Sequence, residues 1–280
     1  MRQTVIYCLL SLPILGIILW YYLEKRRKVA RELRREKLRS SAVPVEWQTI
    51  LLNDFALYTK LPTDLQKSLT AHMQVFIAEK DIVGRNGFTV DDKVKVLIAA
   101  QACLLIVNRP GDYYPGFRSI LVYPETYVAN DIRYNGLLRI TSTSNRAGES
   151  WHRGPVILAW DHVIQGARDS RDGHNVVMHE FAHKLDEENA AMNGLPLLPK
   201  VEQYRQWSEV LNAEFKIQQQ KLADGIDDVI DSYGATSPAE FFAVVTETFF
   251  EKPQQLHRLH PALYAQFKQC YMLDPLKWWK

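Results

Sequence analysis

Cysteine is scarce in this sequence. Only Cys8, Cys103 and Cys270 occur in 280 residues, and no two of them form a Cys-x-x-Cys pair. A disulfide framework and a cysteine-based zinc site are therefore excluded, and the usage fits a reducing compartment. Internal repeats and low-complexity segments are also missing, so a repeat array is excluded. An excess of one charge is missing too: 34 basic residues face 32 acidic ones. That balance hides an asymmetry. Residues 1–41 hold ten Lys/Arg against three Asp/Glu, a net of +7, which leaves 24 basic and 29 acidic residues, a net of −5, for the rest. The acidic remainder carries no nucleic-acid-binding motif, so direct nucleic-acid binding is not expected.

Charge is wholly absent from residues 4–23. Twenty helical residues extend about 30 Å, the thickness of a bilayer core. Trp20, Tyr21 and Tyr22 lie at one end, where an interfacial aromatic belt belongs. A cleaved signal peptide fits less well, because Arg2 is the only preceding charge and no small-residue cleavage site follows. The expectation is a single transmembrane helix, residues 1–23, in the inner (cytoplasmic) membrane. A basic juxtamembrane stem, 24–43, follows, and it could lie on anionic head groups. Nine cations after the span place the C-terminal side in the cytoplasm. Residues 44–280 are long enough for one domain with a proper core.

The strongest chemical signal in that domain is His179-Glu180-Phe181-Ala182-His183, inside a helical run from Asn175 to Asp186. Histidines at i and i+4 lie about 40° apart around a helix and can reach one metal ion. Glu180 projects about 100° from His179, beside such a metal, where it can take a proton from water. This is the zinc-peptidase arrangement. Val176, Val177, Phe181, Ala182 and Leu185 give the helix apolar flanks for burial. Residues 154–160 read as a short strand, and an edge strand there would suit an extended peptide.

A catalytic zinc takes three protein ligands and leaves one position open. The third ligand is expected from Ser237-Pro-Ala-Glu240, which opens a second helix with Ser237 as N-cap and Pro238 at the first position. Ser-x-x-Glu is equally a capping box, in which Glu240 is purely structural. Glu247 lies two turns further along nearly the same face and is the rival ligand. Asp186 shares the face of the two histidines and either orients one of them or binds backbone at the helix end. His72, His152, His162, His174, His257 and His260 read as surface or loop histidines.

Three stretches carry a family resemblance: residues 154–160, 175–186 and 233–245. Together they resemble the Mlc titration factor A family of bacterial zinc peptidases, whose members are similar in active-site plan to the catalytic domain of anthrax lethal factor. The resemblance implies His179, His183 and Glu240 as Zn2+ ligands, Glu180 as general base, and Tyr233 as a tyrosine facing the site that can hydrogen-bond the oxyanion. It implies a peptide or protein substrate. It also implies an alternative role, regulatory binding of the transcriptional repressor Mlc. A membrane anchor departs from the family's best-known form, which is soluble.

The expected fold class is α+β: a zincin-like domain with a small mixed sheet and an active-site helix, preceded by the transmembrane helix. Helices are expected over 45–80 with a break at Leu61-Pro62, and over 89–106, 175–185, 200–220, 238–250 and 261–270. Strands are expected at 119–123, 155–160 and 137–141. The polar stretch 161–173 reads as a rim loop. The tail 276–280 either packs on the domain or touches the membrane.

Overall fold

The structure is a computed structural model. It describes the backbone of residues 2–109, 111–125, 127–135, 138–146, 148–150 and 154–279, and the side chains of 16–109, 111–125 and 154–279. The chain forms two compact units, residues 1–42 and 43–280.

The first unit is one helix, α1 (Arg2–Arg39). Near its C-terminal end the Arg39 guanidinium is braced 2.6 Å from Glu32 and 2.8 Å from Glu36. Among the described residues no helix is long and apolar enough to cross a membrane. The expected transmembrane helix at residues 4–23, and the inner-membrane location built on it, are corrected accordingly. The uncharged run 4–23 lies within α1. Glu24-Lys25-Arg26-Arg27-Lys28 follows at once in the same helix. Residues 4–15 of the expected span lie outside the described side chains.

The second unit runs α2 (Val45–Asp54), a 3-10 turn (Tyr58–Lys60), α3 (Thr63–Glu79), β1 (Asp81–Gly84), α4 (Asp92–Leu104), β2 (Ser119–Tyr123), β3 (Tyr127–Asn135), β4 (Leu138–Arg146), β5 (Gly148–Ser150) and β6 (Val156–Ala159). It continues through α5 (Trp160–Arg168), α6 (Val176–Asp186), α7 (Gln203–Asp224), a 3-10 turn (Ser232–Ala235), α8 (Pro238–Glu251), α9 (Pro253–Leu259) and α10 (Pro261–Tyr271). More than half of the described residues are helical. The α+β expectation is therefore corrected to a mostly helical domain that carries a small sheet. One cause is α5, which was expected as a polar rim loop. Its buried Val163, Gly166 and Ala167 recur three to four residues apart, on one face of an otherwise polar helix.

In the sheet, β1, β2 and β6 are parallel, and β5 adds antiparallel to the free side of β6. All four residues of β6 are buried, as expected of a strand with neighbours on both sides. β6 is thus not the edge strand expected at 154–160. β3 and β4 form a separate antiparallel pair.

The core centres on α4, buried from Val96 through Leu105, with Asp91 capping its N-terminus through Val94 N at 2.9 Å. It packs against α2, α3, α5 and α6. Two aromatic clusters seat the helices that matter below. Phe181 of α6 lies among Phe76, Tyr114 and Phe117, with ring centroids 4.8–5.7 Å away. Phe242 and Phe249 of α8 lie against Phe267, at 5.6 and 6.0 Å. Aromatic pairs of this kind contribute about 0.5–1.5 kcal/mol each beyond their burial. The tail packs on the domain: the Trp279 indole donates to Phe250 O at 2.9 Å, and the Lys60 ammonium sits 3.6 Å above its ring.

Candidate metal centre

Helix α6 is fixed at its first residue. Asn175 caps it, accepting from Met178 N at 3.0 Å. The Asn175 side-chain amide donates to Gly166 O at 3.0 Å and to Glu251 Oε1 at 3.1 Å, and its backbone N–H donates to Glu247 Oε2. Glycine at 166 suits this approach, since a Cβ there would crowd atoms of Asn175 at 3.0–3.1 Å. Helix α5 and the C-terminal half of α8 thus set where α6 begins.

One turn inside, His179 and His183 stand with ring centroids 4.9 Å apart and planes at 82°. Glu240 Oε2 lies 3.0 Å from His179 Nε2 and 3.3 Å from His183 Nε2. A ligand atom from each of the three residues falls within 4.8 Å of the others, the one such group among the described residues. Ser237 caps α8 by accepting from Glu240 N at 3.2 Å, so the backbone of Glu240 serves the cap while its carboxylate faces the histidines. The two readings of Ser-x-x-Glu are compatible.

Glu247 sits on the other side of His179. Its Oε1 is 2.8 Å from His179 Nδ1, the ring nitrogen that points away from Glu240. A proton on Nδ1 satisfies Glu247 and leaves the Nε2 lone pair facing Glu240 and His183. Burial opposes charge on His179, but the nearby Glu247 carboxylate and the hydrogen bonds to Glu240 and Glu247 outweigh it and raise its pKa well above the ordinary value. Sequence spacing marked Glu247 as a rival ligand; the structure places it against Nδ1, behind His179.

Glu180 is buried beside the pair, and its Oε2 has no hydrogen-bond partner among the described residues. Burial pushes its carboxyl up, against the pull of His179 and His183. Tyr233, on the 3-10 turn before α8, is 53% exposed, and its ring centroid lies 6.0 Å from that of His179. All five residues singled out from the sequence are therefore together. Asp186 is not part of the group. Fully buried, it accepts from Gly194 N at 2.7 Å and Leu195 N at 2.8 Å, and so holds the loop after α6. Asn175 and Glu251 were missed. The available signal was the alignment of Glu240, Glu247 and Glu251 on one face of α8. His260, expected on the surface or in a loop, is buried between two carboxylates.

Two imidazole nitrogens and a carboxylate oxygen converging beside a buried glutamate, all on packed helices, define a metallopeptidase. The family can be stated more closely. Residues 29–272 match the glucose-regulated metallo-peptidases, M90, and the chain belongs to that family. It is 40% identical to an uncharacterised protein of Synechocystis over 245 residues, covering 87% of this chain and 89% of that one. It is 32% identical to Mlc titration factor A of Escherichia coli over 249 residues, 87% and 91% of the two chains. With the protein of the same name from Escherichia fergusonii it shares 34% identity over 222 residues, 77% and 82%.

Proposed function

We propose that the protein is a zinc-dependent peptidase acting on peptide or protein substrates, with His179, His183 and Glu240 as metal ligands. The observation that carries this reading is the convergence of two Nε2 atoms and one Oε2 atom from two helices. The donor set fits the ion: two imidazoles and one carboxylate are a catalytic zinc complement, which leaves a position open. The Glu247–His179 contact is the kind of carboxylate support that metal-bound histidines carry. When bound, zinc supplies Lewis acidity to the scissile carbonyl and lowers the pKa of an adjacent water. Glu180 takes the proton of that water and passes it to the leaving amine, a task suited to a carboxyl raised by burial. The Tyr233 hydroxyl donates a hydrogen bond to the oxyanion that develops on the carbonyl.

The test separates metal from chemistry. Purified wild type should hold one zinc per chain, and Glu240→Ala should lose most of it. Glu180→Gln should keep the zinc and lose cleavage of a peptide library by roughly 100-fold or more. Full zinc in Glu240→Ala, or cleavage persisting in Glu180→Gln, overturns the assignment.

A second reading is regulatory. The name shared by the Escherichia relatives, Mlc titration factor A, favours binding of a repressor of the Mlc type, with hydrolysis secondary. Equal binding of such a repressor by wild type and Glu180→Gln, with no peptide cut by either, supports it.

A further inference from the structure

Tyr233 is carried to the metal centre by a segment, residues 225–231, that is neither helix nor strand. It is tied to α7, to His260 at the junction of α9 and α10, and through Asp231 Oδ2 to His174 Nε2 at 3.9 Å. Asp228 Oδ2 accepts from Lys221 Nζ at 2.6 Å and from His260 Nε2 at 3.0 Å. Ile230 O accepts from Gln218 Nε2 at 2.9 Å. Asp231 Oδ1 then accepts from Tyr233 N at 2.8 Å and fixes the turn. The second ring nitrogen of His260, Nδ1, lies 2.7 Å from Glu214 Oε2 on α7.

The side chains of His260 and Asp228 are 5% and 2% exposed. A carboxylate at each ring nitrogen can be satisfied only by an imidazolium, since both nitrogens must then donate. The group therefore holds two cations, His260 and Lys221, and two anions, Asp228 and Glu214. Removing one member leaves an uncompensated buried charge, so the cluster is held together as a unit. Asp228 lies five residues before Tyr233, which is more than half exposed.

We propose that His260 is a positioning residue: by clamping Asp228 against α7 from the junction of α9 and α10 it holds Tyr233 at its distance from His179. This rests on the peptidase reading above, in which Tyr233 stabilises the oxyanion.

The test is a double-mutant cycle on the zinc-loaded enzyme, joined to hydrogen exchange. His260→Gln should lower kcat about as much as Tyr233→Phe, with KM and zinc content little changed. The double variant should be no slower than Tyr233→Phe alone, within about twofold, because residues acting as a unit are not additive. Amide exchange in residues 226–236 should rise in His260→Gln while α6 stays protected. Should that variant fail to fold, Glu214→Gln carries the same comparison, because it weakens the clamp and leaves the imidazole in place. Losses that multiply in the double variant overturn the proposal. So does exchange at 226–236 unchanged from wild type, and this holds whether or not a substrate is cut. A wild type that holds zinc and cuts no peptide overturns instead the peptidase reading on which the proposal rests, and the exchange result still decides the clamp.

Discussion

Glu240 and Glu247 show what a single residue's place along a helix decides. Seven residues turn an α-helix through about 700°, so both carboxylates fall on nearly one face. They differ by about 10 Å along the axis. That rise carries Glu240 to the Nε2 side of His179 and Glu247 to its Nδ1 side and the start of α6. Glu247→Gln keeps the three proposed ligands and the shape of the side chain, but removes the charge that orients His179. Zinc affinity should fall about 10–100-fold, as expected for loss of a carboxylate behind a ligand histidine. Competition with a chelator measures it. A larger loss than in Glu240→Ala would exchange the two roles. His179, Glu180 and His183 were legible because local helix geometry alone brings them together. The division of labour between the two glutamates depends on where α6 crosses α8, and spacing within one helix does not contain that.

Elements carry the site through their ends. α8 begins with Ser237 and Pro238 and presents Glu240 in its first turn. α6 begins at Asn175, whose side chain serves the cap, Gly166 and Glu251 together. Asn175→Ala should therefore cost more than a surface cap. About 1 kcal/mol goes with the cap, and Gly166 O and Glu251 Oε1, which lose their donor, add about 1–3 kcal/mol. Urea unfolding should show a loss of about 2–4 kcal/mol, and a loss below about 1 kcal/mol would mean that α6 is anchored elsewhere. Helices with long apolar periodicity and such caps were legible in advance, α4 and α8 among them. α5 was not: its buried Val163, Gly166 and Ala167 share one face, but a nine-residue stretch so rich in polar residues reads by composition as a loop. The uncharged N-terminal run misled in the opposite sense: its composition suggested a bilayer span, while among the described residues no helix is long and apolar enough to cross a membrane.

The stability of the whole second unit depends on charges that lie far from the metal centre. Asp54, Asp228 and Asp274 are each partly buried, which opposes ionisation. Cationic partners outweigh this and hold the three carboxyls below their ordinary value of 3.8: Lys93 and Arg168 for Asp54, Lys221 and His260 for Asp228, and Lys268 for Asp274. A depressed carboxyl contributes stability that is present above its unfolded pKa and lost as pH falls through its folded one. His260 has the opposite sign. Burial disfavours its charge, but Glu214 and Asp228 outweigh that and raise its pKa above 6.5. Its contribution is complete below the unfolded value and is lost as pH rises through the folded one. All of these groups contribute together between about pH 4 and 6.5. Stability should fall on the acid side as the aspartates protonate, and on the alkaline side as His260 gives up its proton. His179 and Glu180, whose pKa values are also raised, titrate in the same direction, so a variant is needed to isolate the share of His260. His260→Gln should be much less stable than wild type at pH 5, and the gap should narrow toward pH 9 as wild type gives up the same charge. Urea midpoints at the two pH values measure the gap. A gap as wide at pH 9 as at pH 5 would mean that His260 stabilises the domain by packing and not as an imidazolium between two carboxylates.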